Sequence, residues 1–363
     1  MRSTWGNNLQ LTIFGESHGE AIGMVVDGLP IGMAVDEALL AQEMARRAPG
    51  NDPTATARRE ADRVRIVSGL YEGHTTGAPL CGIIENTNTR SGDYGQMQRL
   101  MRPGHADYAG FVKYKGMNDP RGGGHFSGRL TAPLVFAGAL CRQALEPRGI
   151  EVGAHIAAIG GVEDACLDPV GLAAQTLRGL RESRFPLLLQ GREAQMRALV
   201  EQAKAAGDSV GGQIECAAVG VPAGLGAPFF DSLESVLSHL LFSIPAVKGV
   251  SFGDGFALGP MRGSEANDAM RMTAGRVVCE TNHNGGVTGG ITNGMPVICR
   301  VAVKPTPSIA AAQRTVDVIH RENADLAVRG RHDPCIVPRA VPVVESAMLI
   351  ALMDLMLEEE TRR

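Results

Sequence analysis

Two stretches of this chain, residues 130–145 and about 342–357, are apolar on most sides and nearly free of charge. A helix without a polar face has to be covered nearly all round. The fold must therefore enclose helices, and 363 residues, 44% of them hydrophobic, suffice to build such a core. No apolar stretch reaches the roughly 18–20 residues of a membrane span. The nearest, 216–230 and 281–299, are broken by proline and glycine or rich in Asn, Thr and Gly.

Around these helices the pattern is mixed. Strands are expected at 10–14, 22–26, 64–68, 79–85 and 213–219, with another ending at Val303. Helices are expected at 37–47, capped by Asp36, at 192–206, and at 232–242, capped by Asp231. Residues 87–128 have little periodicity and many Gly, Asp, Arg and Pro, which reads as a long functional loop. No linker divides the chain, so 1–363 reads as a single domain. The halves echo each other. Val26-Asp27-Gly28-Leu29-Pro30-Ile31-Gly32 and Val219-Gly220-Val221-Pro222-Ala223-Gly224 each join a strand to an acid-capped helix. Gly124-His125 with Arg129, and Gly330-Arg331-His332 with Arg339, each lead into one of the apolar helices. This raises the possibility of two internally related β-α-β units.

Composition narrows the function. A net charge of −4 gives no global attraction for nucleic acid or an anionic membrane. The N-terminus has no apolar signal core, and the seven cysteines contain no C-x-x-C pair. Together these point to a reducing cytoplasm without a structural zinc site. Of 35 basic residues, 30 are arginine. Ten of these (46, 47, 58, 59, 102, 121, 129, 329, 331 and 339) fall in or beside loops that also hold glycine and the histidines His18, His105, His125 and His332. Guanidinium forks bind phosphate and carboxylate at two points, and consecutive glycines let backbone N–H groups approach an oxyanion. Lys304-Pro305-Thr306-Pro307-Ser308 adds an ammonium and two hydroxyls on a stiff loop. The residues thus point to a polyanionic small-molecule site with histidines for proton transfer.

Two other chemistries were weighed. Gly15-Glu16-Ser17-His18-Gly19 fits the nucleophile-elbow pattern of serine hydrolases, but a strand rather than a helix follows it. His105-Ala106-Asp107 and His332-Asp333 offer metal ligands, but no further ligands stand at a supporting spacing, so no metal is expected.

The motifs Gly15–Gly19, Arg102-Pro103-Gly104-His105-Ala106-Asp107, Arg121-Gly122-Gly123-Gly124, Lys304–Ser308 and Gly330-Arg331-His332-Asp333-Pro334-Cys335 occur in that order. Together they resemble the chorismate synthase family, from about Gly6 to the C-terminal helix. The resemblance implies an α+β sandwich of antiparallel sheets around a helical core, usually a homotetramer. It also implies a lyase that eliminates phosphate from 5-enolpyruvylshikimate 3-phosphate to give chorismate, using reduced FMN without net redox change, with NADPH as a candidate flavin reductant. In that reading His18 protonates the departing phosphate and His105 stands beside the reduced flavin. Asp333 helps the flavin act as base, and Ser17 and Ser127 support the relay. Ala246, Gly289, Lys304, Pro305, Thr306, Pro307, Ser308 and Arg331 match flavin contacts. Arg47 matches a basic residue for nucleotide or substrate phosphate, and Arg129 and Arg339 match substrate-facing arginines.

The chain departs from the family in one segment. Where relatives read Arg-Ser-Ser-Ala-Arg-Glu-Thr, this sequence has His125-Phe126-Ser127-Gly128-Arg129-Leu130-Thr131. His125 and Phe126 are still expected against the cofactor, but without a permanent charge. Pro53 stands where many relatives carry an arginine, which weakens an NADPH contact there. The alternatives are a flavin- or phosphate-binding protein without catalysis, and a His/Asp metal-dependent hydrolase.

Overall fold

Residues 3–50, 62–87, 98–328 and 333–362 are described in a computed structural model. Each half of the chain builds a five-stranded antiparallel sheet. The first has the spatial order Thr4–Trp5, Gln10–Gly15, Ala21–Asp27, Leu80–Glu85, Val64–Ser68. The second has the order Val247–Phe252, Val297–Val303, Gly212–Val219, Glu151–Ile159, Val162–Glu163.

The sheets share one topology. In each half two antiparallel strands lead to a helix, Glu37–Arg47 or Leu233–Ser243. Two more strands follow, and the second of them inserts beside the earlier pair. A long helix, Thr131–Leu145 or Val337–Arg362, closes the unit. The repeat is therefore β-β-α-β-β-α, larger than the β-α-β unit expected. The second copy carries the additional helices Ala174–Arg181 and Glu193–Ala205 between its first two strands.

The echoed turns explain how the repeat is held. A Cβ on Gly28 would lie 2.1 Å from the Asn8 carbonyl oxygen, and one on Gly220 would lie 2.0 Å from that of Gly149. Both have positive φ, so glycine is required twice over. In each turn a buried threonine from much further along the chain ties the proline carbonyl to the N–H three residues after it. Thr75 Oγ1 accepts from Met33 N at 2.9 Å and donates to the Pro30 carbonyl. Thr292 Oγ1 accepts from Leu225 N at 2.8 Å and donates to the Pro222 carbonyl. The same two knots bind matching places in the two halves.

The two long helices lie side by side between the sheets, each packed on the sheet of its own half. At their closest approach a Cβ on Gly138 would come within 2.4 Å of Ser346. Every residue of Thr131–Leu145 except Gln143 is buried, as its apolar sequence requires. The terminal helix starts earlier and ends later than expected, because Pro338 falls in the first turn, where its missing N–H costs nothing. It is long and apolar enough to cross a membrane, but its most apolar stretch is 83% buried inside the protein. The helix at 233 is capped by Ser232, whose Oγ accepts from Ser235 N, and not by Asp231. A helix, Asp107–Lys113, also forms inside the region read as loop.

Candidate active site

A cleft of about 610 Å³ opens where equivalent helix ends from the two halves meet. Arg47 ends one helix and Ser243 the other, while Thr131 and Arg339 stand in the first turns of the two long helices. The N-terminal turns of the two long helices present unpaired N–H groups and a partial positive charge that favour anions. At the carbonyl ends of the two shorter helices it is the side chain of Arg47 that supplies positive charge.

Three arginines line the cleft around two carboxylates. Arg47 donates from Nε to Thr131 Oγ1 at 3.2 Å, from Nη1 to Asp62 at 2.5 Å and from Nη2 to the Gly128 carbonyl at 3.1 Å. Arg129 donates to the other Asp62 oxygen and, at 2.9 Å, to Asn86. Arg339 donates to Asp333 at 2.6 Å and to the Arg47 carbonyl at 3.1 Å. Burial alone would raise the Asp62 carboxyl, but Arg47 and Arg129 override it and hold it below the usual carboxylate range. Burial lowers the Arg47 guanidinium, and the nearby Arg339 and Arg129 add to that fall. Among the described residues bordering the cleft and paired with them, guanidiniums outnumber carboxylates.

The histidines meet at the triglycine. Gly122, Gly123 and Gly124 all have positive φ. A Cβ on Gly122 would sit 2.2 Å from the His18 ring, and one on Gly123 3.1 Å from the His105 ring. Side chains at either position would drive the imidazoles away. Ser17 N donates to the Gly124 carbonyl at 3.1 Å, and its buried Oγ has no hydrogen-bond partner among the described residues. Ser17 lies in the turn between two antiparallel strands, which is not a nucleophile elbow.

His105 is gripped from behind. Its Nδ1 lies 2.5 Å from Asp107 Oδ1. Arg102 donates to both Asp107 oxygens, at 2.7 and 2.8 Å, and to Ser308 Oγ at 3.0 Å. Burial alone would raise the Asp107 carboxyl, but the Arg102 and His105 hydrogen bonds hold it well below the ordinary range. With Arg102 on both its oxygens, Asp107 serves the arginine and the histidine; the metal-ligand alternative has no support in this geometry.

The second half closes the cleft. Lys304 Nζ donates to the Gly104 carbonyl, and Thr306 Oγ1 is buried without a partner among the described residues. Ala246, at φ 75°, Thr306, Pro307, Ser308, Phe126 and Ser127 border the cavity. His125 also borders it, but its Nδ1 is 2.9 Å from the Gly15 carbonyl and its Nε2 is 3.4 Å from Ser3 Oγ. Four expected site residues lie apart from the cavity lining, two of them, His18 and Ser17, standing beside Gly122. Gly289 sits in the turn of a small hairpin, and Pro305 packs on Gly211. Arg331, His332, Arg58, Arg59, Arg329 and Pro53 lie outside the described residues. Reading the sequence missed Asp62 and Asn86 altogether. Asp107 was weighed only as a metal ligand, although the adjacent Arg102 was the available signal.

A cleft bordered by four arginines, two histidines and the orphan Thr306 hydroxyl, with His18 and the orphan Ser17 hydroxyl beside its Gly122, is that of an enzyme acting on a small polyanion. Comparison with known proteins gives the family. The chorismate synthase family model matches residues 9–357. A chorismate synthase from Aeropyrum pernix is 47% identical over 99% of this chain and 94% of its own length. One from Dehalococcoides mccartyi is 45% identical over 98% and 97%. A crystal structure of chorismate synthase superposes with a TM-score of 0.75 at 26% identity, covering 98% of this chain and 93% of the other. The chain belongs to the chorismate synthase family. It is a carbon–oxygen lyase that forms chorismate by eliminating phosphate from 5-enolpyruvylshikimate 3-phosphate.

Proposed function

We propose that the reaction takes place in this cleft with reduced FMN, in one domain to which both halves contribute. The observation that carries this reading is the pair His18 and His105, packed on the adjacent glycines Gly122 and Gly123, where Gly122 and the His105 ring border an arginine-lined cavity. The residues present fit a flavin phosphate and an anionic substrate. The buried Thr306 and Ser17 hydroxyls lack protein partners among the described residues, and Gly122 and Gly123 leave room beside the imidazoles.

Reduced flavin, when bound, supplies an electron-rich ring that assists cleavage of the allylic C–O bond and takes up the hydrogen. The chain's own residues do the rest. Arg129 and Arg339 hold the substrate's anionic groups, with Arg47 supporting them through the shared Asp62. His18 donates a proton to the departing phosphate, which turns a poor leaving group into a better one. Ser17 and Ser127 orient the groups that move protons. Asp333, bound to Arg339, serves the base side of the reaction. Lys304, Thr306, Pro307, Ser308, Ala246 and Phe126 face the cofactor.

The protein is proposed to work in the cytoplasm as a homotetramer. That state rests on the family, and the exposed side chains of Phe229, Phe230 and Phe256 offer apolar surface for a second subunit.

An anaerobic assay with reduced FMN and 5-enolpyruvylshikimate 3-phosphate tests the reading: phosphate and chorismate appear together. Ligand binding without phosphate release would favour a binding protein instead. His18→Ala and His105→Ala each lose at least about 10-fold in rate, and near-wild-type turnover in either removes that residue from its role. Repeating the assay with oxidised FMN and NADPH shows whether the chain reduces its own flavin.

A further inference from the structure

His105 is placed in the cleft by resemblance, but what fixes which of its nitrogens carries the proton is a matter of geometry. Its Nδ1 has two polar neighbours, Asp107 Oδ1 at 2.5 Å and Arg102 Nη2 at 3.1 Å. A guanidinium only donates, and Arg102 Nη2 already donates to the same Oδ1 at 2.8 Å. An ionised carboxylate only accepts, so the short contact is satisfied when Nδ1 carries the proton and donates it to Asp107. The other nitrogen, Nε2, then carries the lone pair. This atom lies against Gly123, 3.2 Å from where a Cβ would stand, on a ring that borders the cleft.

We propose that Asp107 is the positioning residue for His105: its carboxylate keeps the imidazole proton on Nδ1 and so presents Nε2 to the cleft as a hydrogen-bond acceptor. Arg102 locks that carboxylate. Its Nε and Nη2 hold both oxygens, while Nη1 reaches Ser308 in the other half of the chain. The assembly is nearly closed to solvent, with the side chains of Arg102 and Asp107 only 6% and 9% exposed. The carboxylate therefore has little freedom to swing away. The kinetic consequence rests on the role given to His105 above; the tautomer does not.

The test is ¹⁵N-histidine NMR of the whole unliganded protein, with His105→Gln identifying the resonance. The neutral His105 ring is expected as the Nδ1–H form. An Nε2–H form in the wild-type protein would overturn the proposal, whatever the variants do. In Asp107→Asn the Nδ1–H fraction falls and kcat drops about 100-fold or more. KM for the substrate changes by less than about threefold, because the interaction lost is one made in the reaction rather than in binding. Asp107→Glu, which keeps an acceptor-only group, restores part of both signals. Full turnover in a folded Asp107→Asn, or its failure to alter the tautomer, would also overturn the proposal. Should that variant not fold, the wild-type tautomer decides alone. Near-wild-type turnover in His105→Ala beside an intact Nδ1–H form would sink the catalytic reading of His105 while supporting the positioning geometry.

Discussion

Arg46 and Arg47 are neighbours at the end of one helix, yet they serve opposite kinds of surroundings. Arg46 forks onto Glu345 at 2.6 and 2.8 Å and also reaches Glu43 at 2.7 Å. Arg142 joins the same group, 3.1 Å from Glu345 and 3.6 Å from Glu151. Glu345 further accepts from Ala154 N at 3.0 Å, which ties the terminal helix to the second sheet. In this helix-layer network carboxylates match the guanidiniums. In the cleft, among the described residues, the partners of Arg47, Arg129 and Arg339 include two carboxylates, Asp62 and Asp333. The first region neutralises itself and holds elements together. The second has more guanidiniums than carboxylates among the described residues, which suits a ligand bearing several negative charges.

The contrast can be broken by substitution. The largest effect is expected in the balanced network: Glu345→Ala strands two buried arginines and costs about 3–5 kcal/mol in chemical denaturation. A loss below about 1 kcal/mol would mean the network does not hold the helices. Next is Arg339→Ala in the cleft. It should raise KM for the substrate by about 10- to 100-fold, as a charged hydrogen bond is lost, while stability falls by less than about 1 kcal/mol. If stability falls as far as in Glu345→Ala, the two regions do not differ in kind.

Acid sharpens the comparison. The carboxyls of Asp62 in the cleft and Glu43 in the network are both held below their ordinary range; in each, burial pushes up and neighbouring arginines pull down further. Each therefore contributes stability that is complete above the ordinary carboxylate range and is lost as pH falls through the lower folded value. Asp62→Asn should cost about 1–2 kcal/mol at neutral pH and flatten the fall in denaturation midpoint below about pH 5. An unchanged slope would mean that Asp62 is not ionised in the folded protein. The smallest effects belong to the turn knots. Thr75→Val and Thr292→Val should each cost about 1–2 kcal/mol, and a clear inequality would show that the repeat is geometric without being energetically matched.

Much of the fold was legible because period and punctuation agree. The helix at 37–47 with its Asp36 cap and the strand at 64–68 stand where the sequence puts them. The hairpins Met270–Thr273 with Arg276–Cys279, and Gln313–Asp317 with Glu322–Leu326, are not legible because their strands are only four or five residues long and carry at most two alternating apolar residues each. The arginine count was a blunter guide than it looked. Of the ten placed beside the site, Arg47, Arg102, Arg129 and Arg339 border the cleft. Arg46 belongs to the helix network, and Arg121 is paired with Asp119 near the surface. The other four lie outside the described residues. A guanidinium's role depends on how many carboxylates surround it in space. Glu345 is nearly 300 residues from Arg46, and Asp62 is 67 from Arg129, so no local pattern could have revealed either pairing.

The repeated topology has a consequence for the chemistry. Far from the cleft the halves use the same threonine in the same knot, as a symmetrical scaffold would. At the cleft they part company: the equivalent helix ends carry Arg47 in one half and Ser243 in the other. Among the described residues the site's histidines and triglycine come from the first half, and Thr306 and Asp333 from the second. A socket with two equal sides would greet two unlike guests identically. Here the near-symmetry ends at the cleft, so a substrate and a cofactor can each meet a wall of its own.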